Sequence, residues 1–349
     1  MSHPKVAVVI IHWNNRHLLE TFLPGVFKST WPNLDIYLAD NASTDDSVAY
    51  ARTHFPGLKI IQLEKNLGYA GGYNEALKQV EADYFILLNN DVQVEPNWIE
   101  PVIASMEADS RIAAAQPKLL QFKYPEYFEY AGAAGGYMDH LGYVFCKGRV
   151  FETMEEDHGQ YNQQDDIFWA SGACLFIRKK AFEEAGGFDA DYFAHMEEVD
   201  LCWRLQLMGY RIVAQPASVV YHLGGSTLKK ASPQKTYLNF RNSLIMLLKN
   251  MPASKLWWFI PWRSFLDLLS SIFFLLNEEP RHSWAIHRAH ADFFFNFGKW
   301  WKKRKDVKRL TNPMDSAVCY RGSIVWAHFV LRKKHFSQLH FHENLKPRN

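Results

Sequence analysis

Short apolar runs recur between residues 5 and 95, and each ends in polar residues. Residues 6–11 run into His12-Trp13-Asn14, 36–39 into Asp40-Asn41, 59–63 into Glu64-Lys65-Asn66, and 84–88 into Asn89-Asn90-Asp91. Between them lie a helical stretch over 16–29, stopped near Trp31-Pro32, and a helix opened by Ser43/Thr44 and Asp45/Asp46 that reaches about residue 54. Pro56-Gly57 marks a turn, and a loop Gly68-Tyr-Ala-Gly-Gly72 precedes a helix over 74–80. Strands spaced by helical segments predict βαβ units with right-handed crossovers and a parallel sheet. The fold class is therefore α/β, Rossmann-like, with helices flanking a mostly parallel sheet. In open sheets of this kind ligands bind outside the carboxyl ends of the strands. The polar run-ends are thus the first candidates for a binding site.

Residues 96–165 are less regular, with a strand expected over 117–122 and an acidic surface loop over 152–166. Order returns with a strand over 167–177, a helix over 179–185 and a helix over 197–208 that ends at Gly209 as its C′ residue. Strands over 211–214 and 216–221 follow, the latter ending at His222.

From about residue 227 the composition changes. The stretch 257–276 is long and apolar but carries Pro261, Arg263 and Asp267. A membrane span needs about 20 mostly uncharged residues, and a central charge costs about 2.5–3.5 kcal/mol on insertion scales. An interfacial amphipathic helix is expected rather than a span. Phe293, Phe297, Trp300 and Trp301 precede the basic run Lys302-Lys-Arg-Lys305, a combination suited to an anionic bilayer surface. The competing reading is a helical appendage that packs on the domain or dimerises, with a solvated basic face. The net charge of +2 gives no global field for nucleic acid, and no nucleic-acid motif accompanies the basic run. Four scattered cysteines without a CxxC pair argue against a disulfide scaffold or zinc site and for reduced cytosolic thiols. No apolar leader follows a basic start, so no signal peptide is expected.

Each candidate has a functional and a plain structural reading. Asp40 at a strand end can accept from a pyrimidine N3–H, or simply begin a turn. Gly68, Gly71 and Gly72 allow backbone to approach a diphosphate or ribose, though a plain glycine-rich turn looks the same. Asp91 offers the carboxylate oxygen that a hard cation on a diphosphate wants. Glu197, Glu198 and Asp200 stand at a helix start, where the dipole tolerates charge; among apolar neighbours they are also candidate general bases.

Together the segments VVIIHWNN, LADNASTDDS, EKNLGYAGGYNEAL, LLNNDV, WASGACLFIRKKAFEEAGGFD, EEVDLCWRLQLMGYRI and VVYHLGGST resemble the family 2 glycosyltransferases, inverting enzymes of GT-A fold, over about residues 5–228. The subgroup they resemble is the rhamnosyltransferase-like enzymes of bacterial surface polysaccharides, whose members often carry a C-terminal membrane-associating segment. The resemblance implies a GT-A domain over 1–228, with a nucleotide-binding half (1–95) and an acceptor and catalytic half (96–228), then a helical amphipathic region over 229–349. It implies that Asp40 reads the donor base and that His12, Asn14, Asn41, Ser43, Asn66, Gly68, Gly71, Gly72, Asn74 and Asn90 line the nucleotide sugar. Asp91 matches the last position of the family's DxD motif and holds Mg²⁺ or Mn²⁺ with His222 and Asn89. Glu198 is the base, with Glu197 and Asp200 next in line, and Trp169, Ser171 and Gly172 lie near donor and acceptor.

The implied partners are a dTDP- or UDP-sugar and a glycan or lipid-linked acceptor. The implied place is the cytoplasmic face of the cell membrane, reached peripherally through residues 257–309. Two departures stand out: Asn89 replaces the first DxD carboxylate, and Glu198 stands where an Asp is usual. A sugar nucleotidyltransferase is disfavoured because His12-Trp-Asn-Asn-Arg16 replaces a glycine-rich basic loop after the first strand. A degenerate, non-catalytic scaffold is supported by the missing carboxylate alone. A processive channel synthase would need several clear spans.

Overall fold

The computed structural model describes residues 3–224, 232–310 and 318–339. The expected domain boundary at 228 and the end of the last motif, Gly225 to Thr227, lie outside them. In chain order the elements are β1 (Val6–His12), α1 (Arg16–Val26), β2 (Leu34–Asp40), α2 (Ser47–His54), β3 (Lys59–Gln62), α3 (Gly68–Leu77), β4 (Tyr84–Asn89), β5 (Val92–Val94), α4 (Glu100–Ala108) and β6 (Ile112–Gln121). Four short strands follow, β7 (Gly136–Asp139), β8 (Val144–Cys146), β9 (Arg149–Val150) and β10 (Thr153–Met154). Then come β11 (Asp165–Asp166), β12 (Cys174–Arg178), α5 (Lys179–Glu184), α6 (Glu197–Leu207) and β13 (Arg211–His222). The C-terminal part holds α7 (Pro233–Asn250), α8 (Ala253–Leu276), α9 (Pro280–Phe295), α10 (Phe297–Leu310), β14 (Cys319–Tyr320) and α11 (Ile324–Phe329).

The main sheet runs β11-β13-β6-β12-β4-β1-β2-β3, with β5 paired to β13. Strands β4, β1, β2 and β3 are mutually parallel, as the βαβ pattern requires. Strand β12 enters antiparallel between β4 and β6. Central strands β1 and β4 are buried on both faces, which is why they read as continuous rather than alternating apolar runs. One core, on the α1 and α4 side, gathers Leu19, Leu23, Trp98 and Ile103; the other gathers Tyr73, Trp203 and residues of α7. The small sheet β10-β9-β8-β7-β14 brings a C-terminal strand back beside the irregular middle of the chain.

Several boundaries differ from expectation for local reasons. Helix α3 begins at Gly68, so the glycine-rich stretch is its first turns and not a loop. A Cβ on Gly72 would come within 2.6 Å of Ile11 Cδ1, and one on Gly71 within 3.0 Å of Leu67 Cβ. Gly72 lets the helix sit close on the sheet, and Gly71 makes room for Leu67 at the helix's own start. Helix α2 starts at Ser47, where Asp45 Oδ1 accepts from the Ser47 N–H at 3.1 Å. The acidic stretch 152–166 is folded in: Lys118 pairs with Asp157 at 2.6 Å, and Arg211 with Asp166 at 2.9 Å. Strands expected separately over 211–221 form one strand with a register shift after Gln215. Gly209 stands past α6 at φ +93°, as a C′ glycine should.

Helix α7 is part of the core: Leu244, Ile245, Met246 and Leu247 are fully buried with Tyr137, Phe168 and Trp203. Half of the basic run at 302–305 is also built into the fold. Arg304 is buried and donates to the carbonyls of Leu248 and Met251, both at 2.7 Å, while Lys303 pairs with Asp189 and Asp191. Arg304 and Lys308, which donates to Asn250 O at 3.2 Å, satisfy carbonyls that the end of α7 leaves open. Helix α8 is amphipathic in the reverse sense. Its buried stripe holds Arg263, Asp267 and Ser271, while Trp257, Trp262, Phe265, Leu269, Phe273 and Leu276 face outward. Arg263 donates to Asp267 at 2.9 Å and stacks on the Tyr143 ring, and His290 of α9 lies 3.1 Å from Asp267. By length and composition α8 could cross a membrane.

Candidate active site

The carboxyl ends of β1, β2 and β4 lie side by side, His12 opposite Asp40 and Ile11 opposite Asn89. Asp40 is buried and accepts from the Ser43 N–H at 3.1 Å. Asn14 is in the left-handed region at φ 56°, and its Oδ1 accepts from the Thr44 N–H at 2.8 Å. Ser43 Oγ in turn accepts from the Asn14 N–H at 2.8 Å. Asn14 and Ser43 therefore fasten the loops after β1 and β2 to each other. Asn41 is a latch: its Nδ2 donates to Gly68 O and its Oδ1 accepts from Leu67 N–H, both at 2.9 Å. Asn66 Oδ1 accepts from the Gly68 N–H at 2.8 Å, closing the turn into α3.

His12 is buried beside Asn90, whose Nδ2 lies 2.8 Å from His12 Nδ1. With Asn90 donating, Nδ1 is the acceptor and Nε2 carries the hydrogen, and Nε2 has no partner. Burial pushes the ring's pKa down to about 4 against the raising effect of Asp40 and Asp45, so it is neutral near pH 7. The result is an unused N–H at the strand ends.

Four expected donor-site residues do other work. Gly71 and Gly72 are buried under Leu67, Ile11 and Asn41. Both ends of the Asn74 amide are spent on the backbone of Phe188, at 2.8 and 3.0 Å, which ties α3 to the turn after α5. The Asn41 amide is spent in the same manner.

Asp91 and His222 meet as expected from their strand ends: His222 Nε2 donates to Asp91 Oδ1 at 3.1 Å. Asn89 Nδ2 is 3.5 Å from the same nitrogen. Nothing in the sequence singled out Glu129, whose Oε1 lies 3.1 Å from His222 Nδ1. Burial alone would depress the His222 pKa, but the flanking Glu129 and Asp91 carboxylates raise it to about 10. Among the described residues no group of three His, Cys, Asp or Glu side chains is arranged to hold an ion by itself. Glu129 stands at the far ring nitrogen, and the Asp91 carboxylate and His222 Nε2 would have to exchange their mutual hydrogen bond for an ion. Such a two-ligand set fits a divalent ion that completes its shell with phosphate oxygens and water.

Glu197 and Glu198 open α6 after Met196, whose φ is 72°. Oε2 of each is buried and has no hydrogen-bond partner among the described residues. Burial, then the charge of Glu198, pushes the Glu197 carboxyl well above the carboxylate range. Burial lifts Glu198 to about 7 against the backbone N–H groups of Glu198 and Val199. The two carboxyls titrate as a pair.

Asp200, two residues on, is unlike them. Its oxygens take Arg204 (2.9 Å), Lys249 (3.0 Å), Asn250 (2.8 Å) and Tyr192 (3.2 Å). It is a structural carboxylate and not a spare base.

The acid pair's charges reach Tyr69, whose hydroxyl donates to Gly172 O at 2.7 Å. Gly172 must be small there, since a Cβ would meet that hydroxyl at 2.8 Å. Trp169 is buried, with Nε1 donating to Tyr137 O at 3.1 Å, and Ser171 bonds to the Ala131 carbonyl. These two hold the segment in place, and Gly172 is the member turned toward Tyr69.

Comparison with known proteins follows the same geometry. The model of the family described as glycosyl transferase family 2 matches residues 7–186. An N-acetylglucosaminyl-diphospho-decaprenol L-rhamnosyltransferase of Mycobacterium tuberculosis is 28% identical over 273 residues, covering 74% of this chain and 88% of its own. A structure of GalNAc-T7 with UDP, GalNAc and Mn²⁺ superposes with a TM-score of 0.61 at 15% identity, over 99% of this chain and 59% of that one. The mannosyltransferase PcManGT of Pyrobaculum calidifontis, in complex with GDP-Man and Mn²⁺, gives 0.50 at 15% identity, over 88% and 86%. The fold shared with these glycosyltransferases is GT-A.

Proposed function

The chain belongs to glycosyl transferase family 2, and we propose that it moves a sugar from a nucleoside diphosphate to a hydroxyl of a lipid-linked glycan, inverting the anomeric centre. The observation that carries this reading is the pair of buried, unpartnered carboxyl oxygens on Glu197 and Glu198 beside Tyr69 and Gly172. Glu198, with a pKa near 7, takes the proton of the acceptor hydroxyl as that oxygen attacks opposite the leaving diphosphate. One base suffices for a single displacement, and no enzyme nucleophile is needed. Asp40 reads the base, and the free Nε2–H of His12 donates to the nucleotide or its diphosphate. Asp91 and His222 would hold Mg²⁺ or Mn²⁺, which when bound neutralises charge on the departing diphosphate.

The rhamnosyltransferase relative supports L-rhamnose as the sugar and a polyprenyl-diphosphate glycan as acceptor; dTDP-rhamnose is the first donor to try, with a UDP-hexose next. The outward apolar stripe of α8 supports peripheral contact with the cytoplasmic face of the membrane, where such an acceptor resides.

A thermal-shift screen of UDP, dTDP, GDP, CDP and ATP, with and without Mn²⁺, tests the binding half. A bound nucleotide raises the melting temperature by mass action. A Mn²⁺-dependent shift with one diphosphate supports the reading. No shift with any of them would leave a non-catalytic scaffold.

A further inference from the structure

Glu197 and Glu198 are presented by an unusual piece of backbone. In loop 193–196, immediately before them, Phe193 (φ 64°, ψ −60°) is the centre of a γ-turn closed by the Ala194 N–H on Tyr192 O at 2.7 Å, and His195 (φ 72°) and Met196 (φ 72°) have positive φ without being glycine. Such residues hold that conformation only where the surroundings enforce it. Two contacts do so. On the nucleotide side the Phe193 carbonyl accepts from the first N–H groups of α3, Tyr69 at 2.7 Å and Ala70 at 3.3 Å. On the opposite side stands Asn242 of α7, fully buried. Its Nδ2 shares two hydrogens among His195 O (2.7 Å), Ala194 O (3.0 Å) and Tyr192 O (3.0 Å). The amide cannot turn round, because Arg241 Nε donates to Asn242 Oδ1 at 2.9 Å. Arg241 also donates to Asp191 O at 2.8 Å.

We propose that Asn242 is a positioning residue for the acid pair: it fixes the carbonyls of the strained loop and so sets where Glu197 and Glu198 point. The helix region that the sequence marks as a membrane appendage thereby contributes to the reaction itself. Glu198 has no side-chain hydrogen-bond partner to orient its free oxygen, so its direction is inherited from the backbone at the start of α6. Removing the amide frees the Ala194 and His195 carbonyls, while Tyr192 O keeps the Ala194 N–H at 2.7 Å and Arg241 at 3.3 Å. The loop then relaxes and turns the base away from the acceptor, while Asp40 and Asp91, on other elements, stay in place. The proposal rests on Glu198 being the base.

The test compares Asn242→Ala with Leu247→Ala. Leu247 is on the same helix and is fully buried, but it packs on Gly142 and touches none of these carbonyls. Nucleoside diphosphate release from the donor found in the nucleotide screen, with polyprenyl-diphosphate-linked GlcNAc as acceptor, is measured per folded molecule from pH 5.5 to 9. For N242A the expected result is a kcat lower by 30-fold or more, an unchanged KM for the nucleotide sugar and a displaced acidic limb of the pH profile. L247A is expected to lose stability while keeping kcat per folded molecule and the wild-type profile. Should N242A not fold, Arg241→Met, which frees the amide to rotate, is expected to show the same displaced limb with a smaller fall in kcat. Wild-type kcat and profile in folded N242A, or in R241M where N242A does not fold, would overturn the proposal, as would an equal kcat loss in L247A. Glu198→Gln run alongside separates the two failures: an active E198Q sinks the base assignment, while an inactive E198Q with a normal N242A sinks only the clamp.

Discussion

Replacing Glu198 by Gln should stabilise this enzyme and stop it. The carboxyl is lifted from the ordinary 4.5 to about 7 chiefly by burial. Between those values the folded chain holds a proton that the unfolded chain has released. Stability from this group is therefore fully present below about pH 4.5, falls as pH rises through 7, and is flat above. Each pKa unit is worth about 1.4 kcal/mol, so the charged form costs the fold up to roughly 3 kcal/mol at pH 8.5. Gln has the same shape and no charge, and the oxygen it replaces has no hydrogen bond to lose. E198Q should thus melt roughly 5 °C higher than wild type at pH 8.5 for a chain of this size, and within about 1 °C at pH 5. Turnover should fall by about 10²–10⁴, the usual worth of a general base. In the wild type, kcat/KM should rise with pH through about 7, because only the ionised carboxylate accepts the proton. Scanning calorimetry at the two pH values and the product-release assay check both halves. A pH-independent change in melting temperature, or an E198Q that turns over at near-normal rate, would refute the reasoning.

Three further outcomes follow from the geometry. Gly68 has φ +70°, and a Cβ there would lie 2.4 Å from the Phe193 carbonyl oxygen; Gly68→Ala should cost about 2–3 kcal/mol in denaturant unfolding and disturb the acid pair through loop 193–196. Asp91→Asn should abolish the Mn²⁺-dependent part of the nucleotide-induced thermal shift while leaving a metal-independent part, since Asp40 and His12 lie on other strands. Trp262→Glu with Phe265→Glu should reduce cosedimentation with anionic phospholipid vesicles at least tenfold. Because both side chains face outward, stability should move by no more than about 0.5 kcal/mol per site.

The parallel half of the sheet was readable because β1 to β4 are local: each is a short apolar run, and β1, β2 and β4 end at His12, Asp40 and Asn89, while β3 stops at Gln62, short of Glu64 to Asn66. The same locality put Asp40, Asp91 and His222 at strand ends before any coordinates. What the sequence concealed is non-local. Glu129 lies between Phe128 and Tyr130 in an irregular stretch, and only folding brings it to the back of His222. Asp200 and Glu198 look alike in a row of acids, yet the first meets Arg204 and Lys249 while the second, among the described residues, is given no cation. The glycines at 71 and 72 were legible as close approach, and the structure shows that approach for Gly72 against Ile11 of β1 and for Gly71 against Leu67. In α7 the polar residues Asn242, Lys249 and Asn250 carry no local signal of their role, and each is buried on a polar partner in the catalytic half.

The most direct test of the account is the product itself. Purified enzyme is incubated with dTDP-rhamnose or a UDP-hexose, Mn²⁺ and polyprenyl-diphosphate-linked GlcNAc, and the anomeric configuration of the new linkage is read by proton NMR. A single displacement with Glu198 as base gives a transferred sugar of inverted configuration, formed by wild type and not by E198Q. A retained configuration, or equal product from E198Q, would contradict a single displacement driven by Glu198.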